Sequence, residues 1–199
     1  MVFTLFLFRL NFNGLAIIVQ IDKQNALPSL TRSLLVLRQP RRYTLVMPKI
    51  QLSQSNLFYA LHLPPTVQQT VLLIHGAGST HLVWPAALRR LPDTAVYALD
   101  LAGHGRSLPP GHQTVTAYAQ DVLEFIEALS LKNVFVLGHS MGGAIAQQVG
   151  LAALPTVTGL ILLSTGAKLR VSPKILAALE GDFETAVDLL NQFFWGSSP

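Results

Sequence analysis

Between residues 69 and 163 the apolar positions fall into short unbroken runs, separated by stretches where they recur every three or four residues. Val71-Leu72-Leu73-Ile74, Ala95-Val96-Tyr97-Ala98-Leu99, Val134-Phe135-Val136-Leu137 and Leu160-Ile161-Leu162-Leu163 are the runs. A strand with one wet face alternates, so runs without alternation predict strands covered on both faces. Val115, Tyr118, Val122, Phe125, Ile126 and Leu129 recur at helical spacing, with Asp121, Glu124 and Glu127 mostly off that face. They predict an amphipathic helix. Gly143 to Val149 is rich in small, helix-compatible residues and predicts a second. Leu82 to Leu91 predicts a third, with Pro85 tolerable only in its first turn. Upstream, Lys49 to Leu52 alternates, Ser53 to Asn56 is a turn-rich break, and Leu57 to Leu61 resumes strand character, as in a hairpin. Buried strands alternating with helices mean an α/β class: a doubly wound, mostly parallel sheet.

The pattern changes at both ends. Residues 1–46 form an apolar and basic leader, read as outside the fold, and residues 47–166 form the core. Met1 to Val19 is almost wholly apolar, but Arg9, Asn11 and Asn13 interrupt it. A central arginine costs a spanning helix about 2.5–3.5 kcal/mol. The charge order is wrong for a secretory signal, and the segment is too apolar for a typical transit peptide. Two readings stay open: a biological start at Met47, or a membrane anchor through residues 1–19. With the first, a cytoplasmic location is expected. Residues 167–199 change character again. Ser172-Pro173 is a helix start, and Gly181-Asp182 ends that helix and caps another. Leu176, Leu179, Phe183, Val187, Leu190 and Phe194 make an apolar stripe, either simple packing or the start of a helical cap serving as a lid.

Composition changes the picture in two places. The chain of 199 residues has no cysteine, so disulfides and thiolate chemistry are excluded. The net charge of +4 is uneven. Residues 1–50 carry seven basic groups against one acid, whereas residues 51–199 carry seven against nine. The body is therefore slightly acidic and lacks the basic, aromatic-interleaved surface of a nucleic-acid binder. The six histidines show no metal-ligand spacing, so no metal and no cofactor are expected.

The sharpest chemical signal is Gly138-His139-Ser140-Met141-Gly142, a Gly-x-Ser-x-Gly set between a predicted strand and a predicted helix. That is the context of a nucleophile elbow. A serine on so tight a turn takes a strained backbone, and side chains at 138 and 142 would collide with strand or helix. The turn lifts the Ser140 hydroxyl clear of the sheet. It also puts the following backbone N–H groups at a helix N-terminus, where they can stabilise an oxyanion.

Three landmarks occur in order: His75-Gly76-Ala77-Gly78 after one strand, Asp100 to Ser107 after the next, and Gly138 to Gly143 after a third. Together they resemble the α/β-hydrolase superfamily, in the branch with a helical cap after the sixth strand, over about residues 48–195. The resemblance implies that Ser140 is the nucleophile and that the backbone N–H groups of Met141 and Ala77 form the oxyanion hole. It places His75 and His139 at structural or pocket-rim, substrate-binding positions, and makes the Asp100 to Ser107 loop structural, with Arg106 and Ser107 fastening neighbouring loops. Serine rather than aspartate at 140 implies acyl chemistry on a small-molecule ester or related compound: esterase, lipase, lactonase, thioesterase, amidase, C–C hydrolase or perhydrolase. The superfamily order is nucleophile, acid, histidine. Here no histidine follows His139, while His81 and His112 lie in loops able to face the pocket. Glu180, Asp182, Glu184 and Asp188 fall in the cap segment. The base, acid and last strands of a complete domain would take about 70–100 further residues, so an N-terminal fragment or truncated reading frame is expected. A non-catalytic remnant or interaction module is the alternative.

Overall fold

The structure, a computed structural model, describes residues 4–10, 14–20, 44–46, 48–169 and 171–195. Met47, where the sequence suggests a start, lies outside them, as do the side chains of Phe193, Phe194 and Trp195. The elements run β1 (Thr4–Leu10), β2 (Gly14–Gln20), β3 (Thr44–Val46), β4 (Lys49–Gln51), β5 (Asn56–Leu63), β6 (Gln69–Ile74), β7 (Thr94–Leu99), α1 (Val115–Ala128), β8 (Val134–His139), α2 (Met141–Leu151), β9 (Val157–Leu163), α3 (Pro173–Gly181) and α4 (Phe183–Trp195). They divide into two compact units, Met1–Ala167 and Lys168–Pro199.

Among the described residues the first unit is a sheet in the order β1-β2-β9-β8-β6-β7-β5-β3, with β4 also paired to β5. Strands β7, β6, β8 and β9 are mutually parallel, and β4 and β5 form the antiparallel hairpin that the alternation predicts. Both faces of the central strands are covered. On β6, Leu72 and Ile74 join the cluster built with Val122, Phe125 and Ile126 of α1 and Ile145 and Val149 of α2. Val71 and Leu73 join the opposite cluster with Trp84, Val96, Ala98 and Leu137. Burial of one such aliphatic or aromatic side chain stabilises by about 1.5–3 kcal/mol, so the unbroken runs are the sheet's main support.

Two segments depart from expectation. Leu82–Leu91 is not a helix but two 3₁₀ turns, His81–Val83 and Leu88–Arg90, separated at Pro85. Trp84 is extended (φ −77°, ψ 129°), as a residue before proline prefers, and this stops the helix before it starts. In the leader, β1 and β2 pair as an antiparallel hairpin, β2 runs parallel to β9 through Ile17–Val19, and β3 pairs with the end of β5. An apolar run with few polar positions carries no period of its own, which is why Met1 to Val19 does not announce strands. No helix among the described residues is long and apolar enough to cross a membrane.

The second unit is a pair of helices. Ser172 and Pro173 begin α3, and the Asp182 carboxylate accepts the Glu184 and Thr185 N–H groups at the start of α4. Among its described residues Ile175 and Ala186 are buried, whereas Leu176, Leu179, Phe183 and Val187 of the predicted stripe are exposed.

Candidate active site

Strand β8 delivers Ser140 to the first position before α2 with φ 53° and ψ −117°, a left-handed backbone that a residue with a Cβ seldom adopts. The flanking glycines are required by contact. A Cβ on Gly138 would lie 2.1 Å from the Gly142 carbonyl oxygen, and one on Gly142 would lie 2.1 Å from that of Ile74. The backbone on either side of Ser140 is held from the end of β9. The Ser140 N–H donates to Leu163 O at 2.9 Å, and the Thr165 hydroxyl donates to Ser140 O at 2.9 Å. Gly143 and Ala144 donate to that same carbonyl at 2.9 and 3.3 Å, starting α2. Ser140 caps α2 without a side-chain hydrogen bond, and its half-buried hydroxyl has no bonded partner among the described residues.

The turn after β6 lies alongside. A Cβ on Gly76 would sit 3.3 Å from Ser140 Cβ and 3.2 Å from His139 Nδ1. Ala77 and Gly78 form its exposed tip, closed by Ser79 N–H donating to Gly76 O at 3.3 Å. Met141 occupies the first helical position of α2, where an N–H has no partner within the helix. The Met141 and Ala77 N–H groups therefore belong to two adjoining turns.

The histidines separate by burial. His75, expected at a structural or pocket-rim position, is fully buried. Its Nε2 accepts the Leu101 N–H at 3.1 Å, so Nδ1 carries the proton and donates to Gly76 O at 2.7 Å. Burial pulls its pKa down to about 4, against the raising effect of the Gly76 bond. The substrate-binding assignment is corrected: with no surface and both ring nitrogens taken, His75 ties the turn after β6 to the loop after β7. His139 is half-buried beside Ser140, with Trp84 edge-on at 6.5 Å, and burial lowers its pKa. His81 bonds through Nδ1 to Asp100 Oδ1 at 2.8 Å, and that oxygen also accepts the His81 N–H. Asp100 Oδ2 takes the Arg106 N–H, while Ser107 Oγ donates to Asp100 O and accepts from Phe58 N. The loop is thus fastened by Ser107 and by Arg106, through the Arg106 N–H and the guanidinium 5.1 Å over the Phe58 ring. His112 is engaged at Nε2 by Asp121 Oδ2, 2.8 Å away. Among the described residues no cluster of three or more His, Asp or Glu side chains can hold a metal.

Residues that the sequence reading missed are Thr165, Gln147 and Trp84. Thr165 follows a predicted strand as one of several small polar residues, and nothing in its spacing shows that it reaches back to Ser140.

The profile of the alpha/beta hydrolase family matches residues 71–198, more than half of the chain. The chain belongs to the alpha/beta hydrolase family. Within that family it is 32% identical over 105 residues to the lipase LipV of Mycobacterium tuberculosis, covering 53% of this chain and 40% of that one. It is 31% identical over 130 residues to the pimeloyl-[acyl-carrier protein] methyl ester esterase of Yersinia pseudotuberculosis, covering 59% and 49%. A thermophilic esterase structure superposes with a TM-score of 0.63 at 32% identity, over 73% of this chain and 55% of that one. The chain spans about a quarter to a half of the length of the curated relatives it matches.

Proposed function

We propose that this alpha/beta hydrolase family member is a serine hydrolase acting on a small-molecule carboxylic ester or related acyl compound, with Ser140 as nucleophile. The observation that carries the reading is the Ser140 backbone, held at φ 53° and ψ −117° while its hydroxyl bonds to nothing in the described structure. Strain of this kind persists where the surroundings over-determine it, and it is the cost of presenting a hydroxyl outward. In the proposed reaction Ser140 Oγ attacks the acyl carbon and its proton passes to a general base. The oxyanion takes hydrogen bonds from the Met141 and Ala77 N–H groups. The alcohol leaves with a proton, and water then cleaves the acyl-enzyme. The relatives named as a lipase and as a methyl ester esterase favour esters over other acyl compounds.

The base and its acid partner are not assigned. No histidine follows His139, and the rings of His81 and His112 are each engaged by a carboxylate. The engagement of the His81 and His112 rings by Asp100 and Asp121 favours a second reading, a non-catalytic chain retaining the fold. The deciding experiment is hydrolysis of p-nitrophenyl esters by the full-length protein and its Ser140→Ala variant. The first reading expects a loss on the order of 10⁴–10⁶ in kcat for the variant. Equal turnover by both removes Ser140 from the role, and no turnover by either supports the second reading.

A further inference from the structure

We propose that Thr165 is a positioning residue for the oxyanion donor of Met141; this rests on the reading of Ser140 as the nucleophile. The Ser140 C=O and the Met141 N–H are two ends of one planar peptide group, so whatever orients the carbonyl orients the donor. Two of that carbonyl's partners, the Gly143 and Ala144 N–H groups, belong to α2 itself. The third, the Thr165 hydroxyl at 2.9 Å, comes from the segment after β9. The last residue of β9 accepts the Ser140 N–H at Leu163 O, so both backbone polar groups of Ser140 are held by residues 163–165.

Three further observations show that this contact is built. Ser164 takes φ 46°, bending the chain so that Thr165 returns toward the turn. Gly143 leaves the room: a Cβ there would lie 2.4 Å from Thr165 Cγ2 and 2.8 Å from its Oγ1. Gln147 Nε2 reaches both Gly143 O at 3.2 Å and Gly166 O at 3.4 Å, tying α2 to the same segment. Chemically, a donor on the carbonyl fixes the tilt of the peptide plane. It also polarises the amide, which strengthens the N–H as a donor to developing negative charge.

The test uses Thr165→Val, which exchanges the hydroxyl for a methyl group of similar shape, and Thr165→Ser, which keeps the hydroxyl. In the amide NMR spectrum of the full-length protein, the Met141 proton moves upfield and exchanges faster in the valine variant. It stays near its original position in the serine variant. This readout does not depend on turnover. In ester kinetics the valine variant loses about three- to tenfold in kcat, the size of one neutral hydrogen bond, with KM within about twofold. The serine variant recovers kcat, and both keep the parent's melting temperature closely enough to be compared folded. An unmoved Met141 resonance in the valine variant, or a serine variant as displaced as the valine one, overturns the proposal. So does an unchanged kcat in an enzyme that Ser140→Ala inactivates. If Ser140→Ala turns ester over normally, the nucleophile reading is what fails, and the Met141 shift still reports whether Thr165 holds the peptide.

Discussion

Helices α1 and α2 both begin on a hydroxyl side chain, Thr114 and Ser140. Thr114 has an extended backbone (φ −132°, ψ 146°), and its hydroxyl accepts the Ala117 N–H at 3.1 Å. Ser140 sits in the left-handed region, and its hydroxyl caps nothing. A hydroxyl cap is worth about 1 kcal/mol to a helix, so α2 forgoes what α1 takes. It makes up the difference through its neighbours: β9 holds Ser140 through Leu163 and Thr165, and the glycines at 138 and 142 let strand, turn and helix close up. The comparison separates a hydroxyl spent on capping a helix from one that makes no cap bond.

The comparison is broken most severely at Gly142. Gly142→Ala would push a methyl group onto the Ile74 and His75 carbonyls at 2.1 and 2.5 Å, backbone atoms with nowhere to go. A destabilisation of about 3 kcal/mol or more is expected in urea melts, in the upper range of overpacking.

The adjoining turn adds a pH dependence. His75 is buried with a pKa of about 4, below the ordinary 6.5, so the unfolded chain binds that proton more readily. Its contribution is complete above about pH 6.5 and is lost as the pH falls through 4, about 3 kcal/mol in total. Urea melts between pH 7 and pH 4 should show this acid-side loss, and His75→Gln should flatten it. An unchanged slope in that variant would detach His75 from the effect.

The mildest variants address the two caps directly. Thr114→Ala should cost about 1 kcal/mol. Ser140→Ala, which removes the hydroxyl at the same helix position, should change stability by no more than about 0.5 kcal/mol. Equal losses at both sites would mean that the Ser140 hydroxyl is an ordinary cap in solution.

Much of the fold was legible because the central strands are covered on both faces, and such strands read as unbroken apolar runs. The turn at Ser140 was legible for a different reason: Gly138 answers to Gly142 and Gly143 within five residues, a range that a sequence displays, although Gly142 answers to the distant Ile74 and His75. What escaped depends on partners farther away. The inward position of His75 is tied to Leu101, 26 residues away. Thr165 binds Ser140 across 25 residues with no periodic signal. Leu82–Leu91 misled because its apolar spacing suits a helix, while Pro85 sets the conformation of Trp84 and divides the segment. The apolar stripe on α3 and α4 was correctly read as helical, but helical spacing alone does not say what covers it.

The central claim is that Ser140 keeps a reactive hydroxyl, and covalent labelling tests it most directly. The full-length protein is treated with a fluorophosphonate probe and the adduct is mapped by peptide mass spectrometry. The account predicts one stoichiometric phosphonate on Ser140, absent after denaturation before labelling and absent in Ser140→Ala. Labelling of the Ser140→Ala variant to the same extent as the parent, or a folded parent that takes up no probe, would contradict it.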